Sequence, residues 1–322
     1  MRAIQVHSPG GPEKLQIVDI PVPSPGTGQI LVKIAYSGVN YIDTYFRTGL
    51  YKSELPIAIG MEASGVVEAV GPDVRGFAAG QRVVYCMARG SYAEYAVVPA
   101  WQVVQVPGGV GFDIAAASLL QGMTAHYLTH STFSLKAGDT ALVHAAAGGT
   151  GLLVVQMARM LGARVIGTVS TEAKAAIARE AGANEVILYN SQDFAAEAKR
   201  LTDGRGVDVV YDSVGAATFL KSLDSLRPRG TLVSFGNASG PVPAIEPLLL
   251  GQKGSLFLTR PNLFQYAATP EELQWRAGEV LNWIAAGRLK INIHRTYSLA
   301  EASQAHVELE SRATSGKLLL KL

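Results

Sequence analysis

The chain has a single cysteine, Cys86, among 322 residues. One thiol excludes an internal disulfide and every structural zinc site built from several cysteines. It suits a reducing cytoplasm, and its place in the apolar run RVVYCM predicts a buried structural thiol rather than a reactive one. Charge is scarce too: only 17% of residues are Asp, Glu, Lys or Arg, and 28 basic against 26 acidic residues leave a net charge of +2. That balance gives no electrostatic argument for nucleic acid or a membrane surface as partner. No apolar run reaches the roughly 18 residues of a membrane span. The opening MRAIQVHSPGGPEKLQ lacks the hydrophobic stretch of a signal peptide. Histidine is sparse, at 7, 126, 130, 144, 294 and 306. Only His126 and His130 have ligand spacing, one helical turn apart, and Tyr127 stands where a metalloprotease helix needs glutamate. With no third ligand in sight, the sequence predicts no metal site.

What is present is apolar residue, 48% of a chain long enough for two cores. Over residues 1–123 the pattern is β-like: ILVKIAYSGVN, SGVVEAVG, RVVYC and YAEYAVVP are short runs divided by Gly and Pro clusters, in keeping with a twisted barrel. Over 124–264 strand and helix alternate. TALVH, ARVIGTVS, EVILYN, VDVVYDSVG and TLVSFGN read as strands, and LLVVQMARMLGA and EAKAAIAREAGA as helices, which predicts a parallel, doubly wound sheet. Over 265–322 the alternation stops, and EELQWRAGEVLNWIAAG reads as a long amphipathic helix. The expected class is α/β, with a Rossmann sheet inserted into a second, β-rich domain.

The most informative motif is HAAAGGTG, residues 144 to 151. It carries Ala146-x-Gly148-x-x-Gly151 after an apolar strand and at the start of a helix, the context a dinucleotide fingerprint requires. Small residues let the cofactor pyrophosphate approach the backbone and reach the N–H groups of the helix start. NAD sites usually place Asp or Glu at the end of the next strand, against the ribose 2′-hydroxyl. Here Ser170, Thr171 and, one turn later, Lys174 occupy that region, with Glu172 nearby. Hydroxyls and an ammonium suit a 2′-phosphate that a carboxylate would repel, so the expected cofactor is NADPH.

A second stretch, IAIGMEASG, bears on the chemistry. Many alcohol dehydrogenases read Gly-His-Glu there and use the histidine on zinc, whereas this chain has Met61 followed by Glu62. A thioether is a poor zinc ligand, and Glu62 is expected to be a buried, paired carboxylate. Zinc would polarise an unactivated carbonyl. Without it, hydride goes most easily to an acceptor already electrophilic, such as a quinone or an α,β-unsaturated carbonyl.

The segments HSPGGPEKLQ, GVNYIDTYFRTGLY, VYDSVG, VSFGNASG, QKGSLFLTRP and ESRATSGK carry a resemblance. Along essentially its full length the chain resembles the zinc-free, zeta-crystallin-like quinone oxidoreductases of the medium-chain dehydrogenase/reductase superfamily, and is most similar to bacterial NADPH:quinone reductases. The resemblance implies a GroES-like catalytic domain around an inserted Rossmann domain, and a homodimer through edge strands, for which GSLFLTRP is the candidate. It implies a nicotinamide side lined by Asn40, Tyr41, Ile42, Asp43, Thr44 and Tyr45. Thr124 and Tyr127 would follow at the helix leading into the Rossmann domain, Gly149 and Thr150 at the pyrophosphate, and Ser170 and Lys174 at the 2′-phosphate with Tyr189 near the adenosine. Ser213, Phe235 and Asn237 would come from the far strands, and Arg312 would reach back to a phosphate. Asn40, Tyr45 and Tyr51 are the expected hydrogen-bond donors to a quinone oxygen. No residue reads as a general acid, and nothing in the motifs separates a quinone reductase from an enone or enal reductase on the same scaffold. A non-catalytic NADPH-binding protein, crystallin-like or RNA-binding, is the rival of another class; the absence of a basic stripe argues against the RNA form.

Overall fold

In the computed structural model, which describes residues 1–322, the chain forms two units: Met1–Met123 with Ala267–Leu322, and Thr124–Tyr266. The first is built on a seven-stranded sheet centred on the long strand Gln29–Val39. That strand pairs antiparallel with Glu62–Val70, Tyr95–Pro99 and the C-terminal strand Lys317–Lys321. Its register against Glu62–Val70 shifts twice, between Leu31 and Val32 and between Ile34 and Tyr36. Such irregularities bend a strand and tighten its twist, which lets one strand serve three neighbours. Alternate residues Ile30, Val32 and Ile34 turn inward onto Val67, Val83, Tyr85 and Val98. Each fully buried aliphatic side chain contributes about 1.5–3 kcal/mol. The amphipathic helix Pro270–Ala285, capped by Thr269 accepting from Glu272 N, belongs to this unit.

The second unit holds six parallel strands in the spatial order Glu185–Leu188, Arg164–Val169, Thr140–Val143, Val207–Asp212, Leu226–Ser234, Phe257–Thr259. The central strands are apolar on both faces: Thr140–Val143 and Val207–Asp212 are buried throughout, as expected where helices cover both sides of a sheet. The chain order reverses at Thr140–Val143, the first strand of the unit, which has the second strand on one side and the fourth on the other. Cys86, in the first unit, is buried, and burial pushes its thiol well above the ordinary value, so it is inert.

Candidate functional site

Ligands of open parallel sheets settle where the strand order reverses, because the loops on either side diverge. The glycine turn sits there, at the carboxyl end of Thr140–Val143. It is tight. Ala145 adopts φ 50°, a left-handed conformation that a Cβ makes costly, and its carbonyl accepts from Gly148 N at 2.8 Å. A Cβ on Gly151 would lie 2.2 Å from that same oxygen. Helix Gly149–Met160 starts directly behind, and its N-cap, Gly148, supplies no side-chain hydrogen bond. The first N–H groups, at the positive end of the helix dipole, thus have no side-chain cap and suit a pyrophosphate. Gly149 and Thr150 open that helix. These residues fit a dinucleotide.

At the end of the adjoining strand Arg164–Val169, Ser170 is half-buried, and Thr171 caps helix Glu172–Ala181 by accepting from Lys174 N at 3.3 Å. Lys174 is half-buried, and burial holds its ammonium below the usual lysine value; an anion beside it would reverse that shift. Glu172 is exposed and reaches along the helix to Arg179, 3.5 Å away. Tyr189 is exposed at the end of Glu185–Leu188, and Asn190 beside it donates to the Ser170 carbonyl at 2.9 Å. Asn190 lies outside the expected set. No motif marks it, because its contact depends on strand register.

On the other side of the reversal the loops after two strands interlock. Phe235 N donates to Asp212 O at 2.8 Å and Ala238 N to Ser213 O at 3.3 Å, while a Cβ on Gly236 would come within 2.3 Å of Ser213 O. Ser213, Phe235 and Asn237 therefore share the carboxyl edge of the sheet with Gly149, Thr150 and Ser170. Thr124 lies in helix Phe112–Tyr127. Tyr127 is buried and stacked on Tyr266 at 4.5 Å.

In the first unit, NYIDTYFR forms helix Tyr41–Arg47, entered from Asn40. Tyr41, Ile42 and Tyr45 keep exposed surface, whereas Asp43 and Thr44 are turned inward. Thr44 donates to Tyr41 O at 2.7 Å, and Asp43 accepts from Asn40 N at 2.8 Å and Tyr92 OH at 3.0 Å. The side chains of Asp43 and Thr44 thus make their contacts inside the unit. Asn40 is held in the same way. Its amide donates to Gly38 O and Glu62 Oε2 and accepts from Lys317 Nζ at 2.6 Å, and the residue is buried. Both amide hydrogens are engaged within the unit. The tyrosines remain: the rings of Tyr45 and Tyr51 meet edge-on at 5.3 Å, and Tyr51 also packs on Phe46. Their loop is tethered by Arg89, which lies over Phe46 and donates to Ser53. Arg312 is exposed, with φ 59°, and its charge acts on the Tyr41 hydroxyl, which donates to Leu309 O at 3.0 Å.

The position that carries a zinc ligand in many alcohol dehydrogenases is filled from within. Met61 is buried, and Glu62 accepts from Lys317 Nζ at 2.7 Å, Asn40 Nδ2 at 3.1 Å and Leu120 N at 2.6 Å, with both charged side chains buried. His126 and His130 stack face to face at 4.3 Å, which points their nitrogens in parallel instead of at one ion. Nowhere do three His, Cys, Asp or Glu side chains converge. This donor set does not fit zinc.

Asp43 belongs to a buried chain: Arg47 bonds His306 Nδ1 at 2.9 Å, His306 Nε2 bonds Tyr92 OH at 3.1 Å, and Tyr92 bonds Asp43. Burial pushes Asp43 up to about 7, against the Asn40 and Tyr92 hydrogen bonds and the Lys317 charge. Burial, with the Arg47 charge, pushes His306 down to about 3. Between its ordinary 3.8 and about 7, Asp43 binds a proton that the unfolded chain has lost, so its contribution to stability falls as pH rises. Between about 3 and its ordinary 6.5, His306 lacks a proton that the unfolded chain holds, so its contribution rises with pH. The two offset each other over the shared window. Asp43→Asn removes only the first, and the variant is expected to lose on the order of 1 kcal/mol more than the parent per unit of acidification below pH ~6.5. Urea unfolding at two pH values checks this; parallel pH dependence in parent and variant would contradict it.

Residues 149–271 match the family model described as zinc-binding dehydrogenase, and residues 26–108 that of the alcohol dehydrogenase GroES-like domain. The chain is 46% identical over 321 residues to a quinone oxidoreductase of Pseudomonas aeruginosa, covering 99% of each chain. It is 44% identical to a 2-haloacrylate reductase of Burkholderia sp, covering 99% of this chain and 98% of that one. Its structure superposes on that of Escherichia coli quinone oxidoreductase complexed with NADPH with a TM-score of 0.98, at 44% identity and full coverage of both chains.

Proposed function

The chain belongs to the quinone oxidoreductase family of the medium-chain dehydrogenase/reductases, and from that premise we propose that it transfers hydride from NADPH to a quinone without a metal. The observation that carries the reading is the Glu62–Lys317 pair at 2.7 Å. Lys317 occupies Glu62, and Met61, a thioether, stands at the neighbouring position where alcohol dehydrogenases place a histidine ligand, so these side chains offer zinc a poor ligand set and the acceptor must be electrophilic by itself. A quinone is electrophilic without help. Bound at the glycine turn, NADPH would supply the hydride. The N–H groups of helix Gly149–Met160 hold the pyrophosphate, and Ser170 and Lys174 take the 2′-phosphate. Tyr45 and Tyr51 donate hydrogen bonds to the quinone oxygen that becomes anionic. A tyrosine hydroxyl, ordinarily protonated up to pH ~10, serves as donor, and water completes the hydroquinone.

The 2-haloacrylate reductase relative supports a second reading, in which the acceptor is an activated alkene. Both are tested by following NADPH oxidation with a benzoquinone, a naphthoquinone and an enone side by side. Quinone turnover well above enone turnover supports the main reading, and the reverse supports the second. In the same assay Lys174→Glu is expected to raise KM for NADPH at least tenfold and to leave NADH nearly unaffected; equal effects on both cofactors would remove Lys174 from the 2′-phosphate.

The reading extends to assembly. Phe257–Thr259 is the outer strand of the six-stranded sheet, with Phe257 61% and Leu258 37% exposed. An uncovered apolar edge is a pairing surface, and two copies joined there make the homodimer of a cytoplasmic enzyme. Sedimentation is expected to show a dimer that Phe257→Asp converts to monomer; a monomeric parent would contradict it.

A further inference from the structure

A buried polar chain runs through the second unit beneath the carboxyl edge of its sheet. Thr168 Oγ1 bonds His144 Nδ1 at 2.8 Å, His144 Nε2 bonds Ser222 Oγ at 3.0 Å, and Ser222 donates to Asp212 Oδ2 at 2.8 Å. All four residues are buried. Asp212 also accepts from Val214 N, Gly215 N and Thr218 Oγ1, between 2.8 and 3.0 Å.

The proton positions follow from the partners. Ser222 gives its single proton to Asp212, so it faces His144 as an acceptor, and Nε2 carries the ring hydrogen. Nδ1 is then the acceptor of the Thr168 hydroxyl. Burial holds the imidazole below its ordinary value, against the pull of the Asp212 charge, in keeping with a neutral ring. Every bond runs one way, from Thr168 through His144 and Ser222 to Asp212. Phe194 closes edge-on against the imidazole at 4.7 Å.

The placement in the fold gives the chain its meaning. His144 directly follows the first strand of the sheet and precedes Ala145, the strained residue of the glycine turn. Thr168 lies two residues before Ser170, and Asp212 one residue before Ser213. Each anchor therefore sits directly beneath a different part of the cofactor site: pyrophosphate, 2′-phosphate and the far strands. A left-handed alanine persists only where its surroundings over-determine it, and the two-sided grip on His144 is such a constraint. Backbone bonds tie neighbouring strand ends, His144 N to Tyr211 O at 3.1 Å and Ala146 N to Thr168 O at 3.2 Å, and the side-chain chain adds a second tie across the same three ends.

We propose that Thr168, His144, Ser222 and Asp212 form a positioning chain that fixes the three strand ends of the dinucleotide site relative to one another, so that breaking it weakens NADPH binding and spares hydride transfer from the bound cofactor. The proposal rests on the NADPH reading of this site. Its test is fluorescence titration of the full-length protein with NADPH, together with kcat for a quinone at saturating NADPH and thermal unfolding of each variant. Thr168→Val and His144→Asn are expected to raise the Kd for NADPH about tenfold, which is about 1.4 kcal/mol, with kcat changed less than twofold. Thr168→Ser, which restores the hydroxyl, is expected to return Kd to the parent value. Variants that melt earlier yet bind NADPH as tightly as the parent would show a structural role only and overturn the proposal. A parent that binds no NADPH would instead overturn the cofactor reading, and the proposal with it.

Discussion

Lys317→Met is expected to lower the free energy of unfolding by about 3–5 kcal/mol, the usual cost of removing one partner of a buried ion pair. The reason is what it leaves behind. Glu62 is fully buried, and without the ammonium at 2.7 Å its charge keeps only the Asn40 amide and the Leu120 N–H. The loss is a large part of the 5–15 kcal/mol that holds a typical domain together. Adding Glu62→Gln removes the stranded charge and retains an acceptor for Leu120 N, so the double variant is expected to recover more than half of the loss. Urea unfolding of the parent, both single variants and the double variant measures it. If Lys317→Met costs under about 1 kcal/mol, the figure for an exposed pair, the pair is not buried as described. The substitution also frees the Asn40 carbonyl oxygen that Lys317 holds at 2.6 Å, so its effects reach the start of helix Tyr41–Arg47.

Gly151→Ala is expected to weaken NADPH binding at least tenfold, by a steric route that outweighs the gain in helix propensity. Alanine is the better helix former, and Gly151 lies within helix Gly149–Met160. Yet its Cβ would stand 2.2 Å from Ala145 O, 2.9 Å from Ala145 C and 3.1 Å from Ala146 Cα, all backbone atoms of the turn. Backbone cannot swing aside as a flexible side chain can, so the turn must open by roughly an ångström. The helix start then moves from the place where its N–H groups meet the pyrophosphate. Titration with NADPH checks this. Unchanged affinity would mean that the cofactor phosphates lie elsewhere.

Much of the parallel sheet was legible in the sequence because its signals are local. Thr140–Val143, Arg164–Val169 and Val207–Asp212 are runs of Val, Ile and Leu closed by small or polar residues, and the glycine turn follows the first of them. Helix Tyr41–Arg47 was not legible. It is short and carries Tyr, Ile and Thr, poor helix formers, and it is held from outside by Tyr92 on Asp43 and by His306 and Glu310 on Arg47. For the same reason the inward contacts of the Asn40, Asp43 and Thr44 side chains left no trace in the sequence. Lys317 opens the strand KLLLK and looks like a solvated end; its carboxylate partner is 255 residues away. His144 looked like the last residue before a turn, and only the packing of three strands shows what it bonds. In each case the missing information was a tertiary contact with no trace in the local sequence.

The measurement that tests the central claim most directly is anaerobic stopped-flow oxidation of NADPH by 1,4-benzoquinone, using chelator-treated protein and NADPH deuterated at the transferring C4 position. The account predicts quinone-dependent loss of the nicotinamide absorbance, slowed by deuterium and indifferent to the chelator. NADPH that binds and is never oxidised by the quinone, or turnover that the chelator abolishes, would contradict it.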